Sequence, residues 1–255
     1  MTASFGRLAV VGIGPGGPDQ CSPEVTDRLA AATDLVGYAP YLAMVVAAVA
    51  QTLHPSDNRE EAARARAALD LAAGGADVVV VSSGDPGVFA MATAVIEAVH
   101  EDALAGRRSP PVDVLPGITA ASAAAALVGA PLGHDFCVIS LSDVLKPFEV
   151  VERRLAAVAA ADLVIALYNP ISSQRPWQLG RALEVVAAHR TADTPVVVAR
   201  EVGRAEQAAR VTTLGALVPE DVDMRTVLIV GSSTTRAFVD SNGRTWAYTP
   251  RRYPA

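Results

Sequence analysis

The stretch Asp77-Val-Val-Val-Val-Ser82, followed at once by Ser83-Gly84-Asp85-Pro86-Gly87, decides the fold class of this chain. Four consecutive valines leave the strand without a polar face, which is typical of a parallel strand covered by helices on both sides. The Gly-Asp-Pro segment then ends the strand, because glycine and proline favour turns. A helix is predicted directly afterwards, from Met91 to about Leu104. A strand, a loop and a helix in this order predict an α/β fold.

The same alternation extends from this stretch in both directions. A first buried strand is expected at residues 8–12, and a helix begins at Pro23, with Ser22 as its N-cap, and runs to about residue 32. Further strands are predicted at residues 34–37, 112–115, 136–141, 162–167, 195–200, 209–213 and 226–231. Further helices are predicted at residues 38–50, 59–73, 149–160 and 177–189, with an Ala-rich helix after residue 119. Late neighbouring strands without a long helix between them predict an antiparallel element.

Pro116-Gly117-Ile118-Thr119 is expected to form the hinge between two domains, residues 1–116 and residues 117–255. The sequence has no internal repeat and no low-complexity linker. Two α/β domains with a ligand cleft between them are therefore the architecture that the pattern predicts.

The composition excludes several classes of protein. A chain of 255 residues with 51% hydrophobic residues can bury a substantial core, and a net charge of -6 provides no global positive field for nucleic acid. The apolar stretch at residues 41–50 is too short to span a bilayer, and no signal peptide is apparent. Cys21 and Cys137 form no metal-binding motif. We expect a soluble, cytoplasmic protein that binds no metal, no nucleic acid and no membrane.

Gly12-Ile-Gly14-Pro-Gly16-Gly17 matches the GxGxxG pattern of dinucleotide-binding proteins, but its context argues against that function. Pro15 lacks a backbone N–H that a pyrophosphate would need. The following helix starts only at Pro23, and the second strand ends in Val36-Gly37 where a ribose-binding acid is expected. A tight turn that lets the backbone approach a ligand is the favoured interpretation over a nicotinamide-dependent oxidoreductase.

Three segments carry a resemblance to a known family. Val10-Val-Gly-Ile-Gly-Pro-Gly16, Ser83-Gly-Asp-Pro-Gly-Val-Phe-Ala-Met91 and Pro116-Gly-Ile-Thr-Ala120 resemble the tetrapyrrole methylase superfamily in order and spacing. The resemblance implies two α/β domains of the tetrapyrrole methylase type, with the active-site cleft between them. It further implies that S-adenosyl-L-methionine binds folded in that cleft, leaves as S-adenosyl-L-homocysteine, and that the protein is a homodimer.

Further segments resemble one branch of this superfamily, the precorrin C17-methyltransferases. They are Gly37-Tyr-Ala-Pro-Tyr-Leu42, His134-Asp-Phe-Cys-Val-Ile-Ser-Leu-Ser-Asp143, Leu167-Tyr-Asn-Pro-Ile-Ser172, Ala199-Arg-Glu-Val-Gly-Arg204 and Thr249-Pro-Arg-Arg-Tyr253. The implied reaction methylates precorrin-3B at C17 and contracts the ring to precorrin-4, in cobalamin biosynthesis. The alternatives are a cobalt-precorrin-3 enzyme of the anaerobic route, another precorrin ring methyltransferase, or a tetrapyrrole-binding protein without catalytic activity.

The resemblance also implies which residues bind the cofactor. The predicted set is Pro15, Gly84, Asp85, Val88, Met91, Thr119, Ala120, Tyr168, Asn169, Arg200, Glu201 and Thr212. Several of these follow predicted strands, and ligands of open α/β sheets bind beyond the carboxyl ends of strands. Asp85 has a second interpretation, as the cap of the next helix. For Tyr168 and Asn169 the alternative is packing and a turn.

A precorrin carries many carboxylates, which arginine binds through charge-assisted hydrogen bonds. The predicted substrate-binding residues are Gly14, Tyr38, Tyr41, Ser142, Arg175 and Arg204, and the arginines at 200, 251 and 252 are further candidates. The two tyrosines pack as core side chains in the alternative interpretation. Arg64 and Arg66 are expected to lie on a solvated helix surface.

Ring contraction moves a hydroxyl proton, and a positioned acid or base contributes about 10²–10⁴-fold to such a step. His134, Asp143 and Lys146 are the predicted catalytic residues, grouped around one strand, with Asp135 in reserve. In the alternative interpretation His134 and Asp135 form only a turn, and Lys146 lies on the surface.

Overall fold

The computed structural model describes residues 4–253, which form two compact units that divide between Thr119 and Ala120. The division falls at the end of the 116–119 segment, where the sequence predicts a hinge. Both units combine a β-sheet with packed helices, so the α/β fold class is confirmed.

Unit 1 is built on a parallel sheet. Its strands are β1 (Arg7–Gly12), β2 (Asp34–Tyr38), β3 (Thr52–Ser56), β4 (Asp77–Ser82) and β5 (Val112–Leu115). Its helices are α1 (Pro23–Ala31), α2 (Ala39–Leu42), α3 (Glu61–Ala73) and α4 (Met91–Leu104). The strand order is β3-β2-β4-β1-β5. The valines of β4 are completely buried, as their unbroken run predicts.

The helix predicted at residues 38–50 is wrong. Only Ala39–Leu42 is helical, and the chain then turns and adds β3, which the sequence did not predict, to the edge of the sheet beside β2. Valines at positions 45, 46 and 49 are β-branched and therefore disfavour a longer helix.

The side chain of Gln51 holds this turn in place. Its Nε2 donates to the backbone oxygens of Leu29 and Ala32, at the end of α1, over 2.7 and 2.9 Å. Its Oε1 accepts a 2.8 Å hydrogen bond from the N–H of Ala48. A tertiary contact thus satisfies the carbonyls at the helix end and fixes where β3 begins.

Helices α3 and α4 pack on one face of the unit 1 sheet. Two arginines of α3, Arg64 and Arg66, do not lie on a solvated helix surface as the sequence predicts. Arg64 is only 5% exposed. Arg66 donates through Nη1 to both carboxylate oxygens of Asp102 on α4, over 3.1 and 2.9 Å. Arg107 pairs with the same carboxylate at 2.6 Å. A charge pair therefore joins the two helices.

The ion pairs of Asp102 make part of the protein's folding stability depend on pH in the acid range. Hydrogen bonds from Arg66 and then Arg107 lower the pKa of Asp102 from 3.8 to about 2. A carboxylate with a lowered folded-state pKa contributes stability that is complete above about pH 4 and is lost as the pH falls towards about 2. We expect Asp102→Asn to lower the melting temperature at neutral pH and to reduce its decline across this window. An equal decline in the variant and the wild type would contradict this linkage.

Unit 2 contains a mixed sheet and a small second sheet. Its helices are α5 (Ala120–Val128), α6 (Phe148–Ala160) and α7 (Gln178–Ala187). Its strands are β6 (Gly129–Ala130), β7 (Phe136–Ser140), β8 (Val164–Tyr168), β9 (Pro195–Arg200), β10 (Ala208–Thr213), β11 (Thr226–Val230), β12 (Arg236–Val239) and β13 (Thr245–Tyr248). The sheets are ordered β10-β9-β11-β8-β7 and β12-β13-β6.

The antiparallel element predicted in the second half is confirmed, since β10 and β11 both pair antiparallel to β9. Strands β7 and β8 pair in parallel, and β8 is also antiparallel to β11. The carboxyl ends of β7, β8 and β9 consequently lie at one edge of the sheet. The hairpin of β12 and β13 was not predicted, although its Asn242-Gly243 turn is a common hairpin signal. Across residues 4–253, none of the helices has the length and apolar character needed to cross a bilayer.

Candidate functional site

The glycine-rich loop of unit 1 pairs with the Gly-Asp-Pro loop at the carboxyl edge of the sheet. The N–H of Gly14 donates to the oxygen of Gly84 over 3.2 Å, and the N–H of Gly84 donates back over 2.8 Å. Both glycines have a φ of +71°, which side chains disfavour. Because the amide of Gly14 is already engaged, it is not available to a pyrophosphate. This geometry supports the turn interpretation over dinucleotide binding.

A third loop joins these two at very short range. A Cβ atom on Gly117 would lie 2.2 Å from the oxygen of Gly84 and 2.6 Å from the oxygen of Gly12. A Cβ atom on Gly12 would lie 2.5 Å from the oxygen of Gly84. The loops after β1, β4 and β5 therefore meet through bare backbone, a close approach that only glycine permits at these positions.

Asp85 ties two of these loops together. Its Oδ1 accepts a 2.8 Å hydrogen bond from the N–H of Gly87, and its Oδ2 accepts a 3.1 Å bond from the N–H of Gly117. The N-cap of α4 is Ala90, so the alternative interpretation of Asp85 as the cap of that helix is wrong. The carboxylate instead fixes the shape of the loops at the carboxyl edge.

The other predicted residues of unit 1 lie around the same edge. Pro15 is buried next to Gly14, Val88 is half-buried, and Met91 is 5% exposed at the start of α4. Tyr38 ends β2 and contacts Tyr41 edge to face, with ring centroids 5.2 Å apart. Both tyrosines are half-buried, so each has one side packed and another open.

Two buried oxygens at this edge lack a hydrogen-bond partner within the described part of the chain. They are Oγ of Ser82, at the end of β4, and Oε1 of Gln20, whose Cβ would contact a side chain at Gly14. Neither residue is among those predicted from the sequence. Their position beside the glycine turn could have pointed to these two residues in the sequence. That their side-chain oxygens lack a hydrogen-bond partner depends on the fold.

In unit 2, Tyr168 and Asn169 follow β8. The hydroxyl of Tyr168 accepts a 2.7 Å hydrogen bond from the N–H of Ala121, in the first turn of α5, so it lies beside predicted residue Ala120. Thr119 directly precedes that helix. Asn169 has a φ of +52°, and its Nδ2 donates to Oγ of Ser140, at the end of β7, over 2.9 Å. Strained, hydrogen-bonded positions of this kind concentrate at functional sites.

Two of the three predicted catalytic residues lie close together in the loop after β7. Nζ of Lys146 donates to the oxygen of Ser142 over 3.0 Å. Oδ2 of Asp143 accepts a 2.9 Å hydrogen bond from Nε2 of Gln178, which is 2% exposed. Burial and then the charge of Arg154 lower the pKa of Lys146, although Asp143 opposes the shift. Lys146 is therefore a half-buried amine rather than a surface lysine.

His134 does not join Asp143 and Lys146. It precedes β7, whereas they follow it, so about 16 Å of strand separates the two ends. Its Nδ1 accepts a 2.7 Å hydrogen bond from the N–H of Asp135, and its ring packs against Tyr253 at 5.1 Å. These contacts favour the turn interpretation for His134 and Asp135.

Arg200 and Glu201 lie at the carboxyl end of β9 and belong to an ion-pair network. Nε of Arg200 pairs with Asp223 at 2.8 Å. Glu201, 6% exposed and with a φ of +50°, pairs with Arg225 at 2.8 Å and with Arg204 at 3.4 Å. A substrate carboxylate at Arg200 or Arg204 would therefore share that guanidinium with a carboxylate of the chain.

The remaining two predicted site residues are Arg175 and Thr212, and the structure places both in surroundings that the sequence does not predict. Arg175 is 8% exposed and donates to the oxygen of Asn169 over 2.9 Å and to Sδ of Met224 over 3.0 Å, so it supports the Asn169 turn. Thr212 pairs with Val196, at the opposite edge from Arg200, because β10 runs antiparallel to β9. The structure does not bring Thr212 to the edge where Tyr168 and Arg200 end their strands.

Comparison with known proteins identifies the family. Residues 7–218 match the model of the tetrapyrrole (corrin/porphyrin) methylases. The chain is 49% identical over 248 residues to a precorrin-3B C(17)-methyltransferase of a Sinorhizobium species, with 97% of each chain covered. A crystal structure of the methyltransferase CobJ has 51% identity and a TM-score of 0.89, covering 96% of this chain and 100% of that one.

A longer relative is also similar. The chain is 54% identical over 254 residues to the cobalamin biosynthesis protein CobIJ of Mycobacterium bovis. The alignment covers 98% of this chain but 49% of that protein, so the chain spans about half the length of this relative. The family model and the full-length similarity agree with the motifs of the three glycine loops: the chain belongs to the tetrapyrrole (corrin/porphyrin) methylases.

Proposed function

We propose that this protein is an S-adenosylmethionine-dependent methyltransferase that methylates C17 of precorrin-3B, with ring contraction to precorrin-4, in cobalamin biosynthesis. The observation that carries the proposal is the 49% identity to a precorrin-3B C(17)-methyltransferase over 97% of both chains. The paired loops of unit 1 and the polar cluster at the edge of unit 2 supply suitable groups for a cofactor and for proton transfer.

The residues at the carboxyl edge of unit 1 suit S-adenosylmethionine. Close backbone contacts between Gly12, Gly84 and Gly117 hold three loops together at the carboxyl edge of the sheet, where α/β proteins bind ligands. The orphaned oxygens of Ser82 and Gln20 are acceptors suited to the amino groups of such a ligand. Met91 and Val88 add apolar surface beside these polar groups. Tyr168, Asn169 and Ala120 are the corresponding candidates in unit 2.

S-adenosylmethionine supplies an activated methyl group with a good leaving group. The chain then has to hold the ligand so that the methyl faces the accepting carbon, since orientation alone contributes roughly 7–11 kcal/mol to such reactions. Asp85 serves this purpose by fixing the loop geometry through Gly87 and Gly117. No strong acid or base is required for the methyl transfer.

Ring contraction requires a proton to move, and Lys146 and Asp143 are the proposed participants. Burial and then the charge of Arg154 lower the pKa of Lys146, which favours the neutral form of Nζ that can accept the hydroxyl proton. Gln178 holds Asp143 in place by donating a hydrogen bond to Oδ2, which leaves Oδ1 for the substrate or for Lys146. His134 lies at the other end of β7 and is assigned no part in this step.

Substrate binding is assigned to residues at the same edges. Gly14, Tyr38 and Tyr41 offer backbone and aromatic surface in unit 1, and Ser142 lies beside Lys146 in unit 2. Arg204 is 3.4 Å from Glu201 and 36% exposed at its side chain, so it can turn to a substrate carboxylate. Arg175 supports Asn169 and acts on the site through that residue. The enzyme is further proposed to work in the cytoplasm as a homodimer, which sedimentation analysis can test.

Binding of S-adenosylhomocysteine to an Asp85→Ala variant tests the cofactor assignment. Asp85→Ala removes both acceptors that join the loops, so we expect calorimetry to find an affinity about 10- to 100-fold weaker than in the wild type. Asp113→Asn is the matched control, because the exposed Asp113 carboxylate lies on β5 and pairs with the exposed Arg7 at 3.7 Å. Circular dichroism verifies that both variants fold.

Failure of the folded wild type to bind S-adenosylhomocysteine would reject the proposed function. A thermal shift with NAD(P) instead would favour an oxidoreductase. If the cofactor binds, incubation with precorrin-3B and with its cobalt-containing counterpart, followed by mass spectrometry of the product, identifies the substrate and the methylated ring position.

A further inference from the structure

Arg64 is a buried cation near the candidate cofactor site, and the proposed function does not use it. It lies in the first turn of α3 and is 5% exposed. Its Nε donates to Oγ of Ser56 over 2.6 Å, and its Nη2 donates to the oxygen of Asp57 over 2.6 Å. Its Nη1 donates to Sδ of Met91 over 3.2 Å. The guanidinium thus lies between the end of β3 and the start of α4.

Within residues 4–253 no anion matches the charge of Arg64. Its hydrogen bonds there go to a hydroxyl, a carbonyl and a thioether, and it forms no ion pair with a carboxylate. Arg66, on the same helix, is paired with Asp102 at 2.9 Å. A thioether is a weak acceptor, and a guanidinium stays charged when buried. Buried charges are normally paired, so this environment lacks an anion.

The N-termini of two helices, α3 and α4, lie close to Arg64. Helices α3 and α4 have 13 and 14 residues, and neither N-cap, Glu60 or Ala90, makes a side-chain capping hydrogen bond in the described structure. The N-terminus of α3 already carries the carboxylates of Glu60 and Glu61. The first turn of α4 has no acidic residue, so its helix dipole favours an anion. Both helices begin at the carboxyl edge of the sheet, where α/β proteins bind ligands.

We propose that Arg64, together with the N-terminus of α4, binds a carboxylate that the ligand brings into unit 1. The inference rests on the proposed function, since both S-adenosylmethionine and a precorrin carry carboxylates. A carboxylate is a stronger acceptor than the sulfur of Met91 and would take over the Nη1 donor. Arg64 would then be a binding residue that the sequence places on a solvated helix.

Arg64→Gln and Arg64→Lys test the proposal, with Arg66→Gln as a control that removes an arginine of the same helix together with its ion pair. The probes are S-adenosylhomocysteine and 5′-methylthioadenosine, which lacks the amino-acid carboxylate, followed by the KM for precorrin-3B. If the cofactor supplies the carboxylate, Arg64→Gln weakens S-adenosylhomocysteine about 10- to 100-fold and leaves methylthioadenosine unchanged. If the tetrapyrrole supplies it, cofactor affinity is unchanged and the KM rises about 10- to 100-fold, with kcat retained.

The proposal is overturned if folded Arg64→Gln weakens both adenosyl ligands equally, or if it changes neither cofactor affinity nor KM. Should Arg64→Gln not fold, Arg64→Lys keeps the charge without the planar fork. The Arg64→Lys variant is then expected to bind the carboxylate-bearing ligand more weakly and every other ligand as tightly as the wild type does. Unchanged affinity for the carboxylate-bearing ligand overturns the proposal. Arg66→Gln is expected to alter stability only. Absence of S-adenosylhomocysteine binding by the wild type would reject the proposed function, and direct titration of the tetrapyrrole would then decide the role of Arg64.

Discussion

Gly117→Ala is expected to disable cofactor binding and to destabilise unit 1. The new Cβ would lie 2.2 Å from the oxygen of Gly84 and 2.6 Å from the oxygen of Gly12, and backbone atoms cannot move aside as a flexible side chain can. Overpacking of this kind costs about 1–3 kcal/mol. The loop displaced is the one that contacts Asp85, and a shift of about 1 Å at a reacting centre can lower the rate about 100-fold.

Denaturant unfolding and calorimetry with S-adenosylhomocysteine measure the two effects of Gly117→Ala. Gly17→Ala is the matched control, because a Cβ on Gly17 meets nothing within 4 Å and its φ is -79°. The control should bind as tightly as the wild type. If Gly117→Ala retained wild-type affinity and stability, the three loops would not form the close backbone contact on which the cofactor site depends.

Lys146→Met is expected to lower the rate of ring contraction by about 10²–10⁴-fold, the usual contribution of a positioned acid or base. The lysine amine accepts a proton only when neutral, and burial lowers its pKa from 10.5. The rate should therefore increase with pH until it passes the lowered pKa of Lys146. Methyl transfer needs no base, so cofactor affinity and folding should be retained in the variant. Rapid-quench analysis of the tetrapyrrole products separates the two steps.

Arg154→Gln gives an independent test of the same lysine. The charge of Arg154 lowers the pKa of Lys146, so its removal should raise that pKa and move the rising limb of the pH profile to higher pH. The maximal rate should change little. An unchanged profile in Arg154→Gln, or full ring contraction by Lys146→Met, would remove Lys146 from the mechanism.

Local patterns predicted the regular elements of both units well. The four valines of β4, the cap at Ser22 and the helix after Met91 all lie where the sequence indicates. In each case the determining interaction is local: burial of an apolar run, a side-chain cap or the turn preference of Gly and Pro. The predicted helix at 38–50 failed because a distant amide, that of Gln51, reaches the end of α1 and directs the chain into β3.

Two of the predicted groupings join residues that the structure separates. Arg200 and Thr212 were both candidates for the adenosyl pocket, but the antiparallel pairing of β10 places Thr212 at the opposite edge of the sheet. His134 and Asp143 were grouped around one strand, but they lie at its opposite ends. The order of residues along β7 is visible in the sequence, whereas the edge that Thr212 occupies depends on how β10 pairs with β9.

The α/β class, the family and the residue types available for chemistry could be read from the sequence alone. Which of these residues meet depends on the tertiary structure. The fold joins Gly14 to Gly84, makes Asp85, a predicted cofactor-binding residue, a link between two loops, and buries Arg64 without a carboxylate partner in the described chain. The reason is that secondary structure follows from local conformational preference, whereas hydrogen-bond partners and unpaired charges depend on residues brought together from distant parts of the chain.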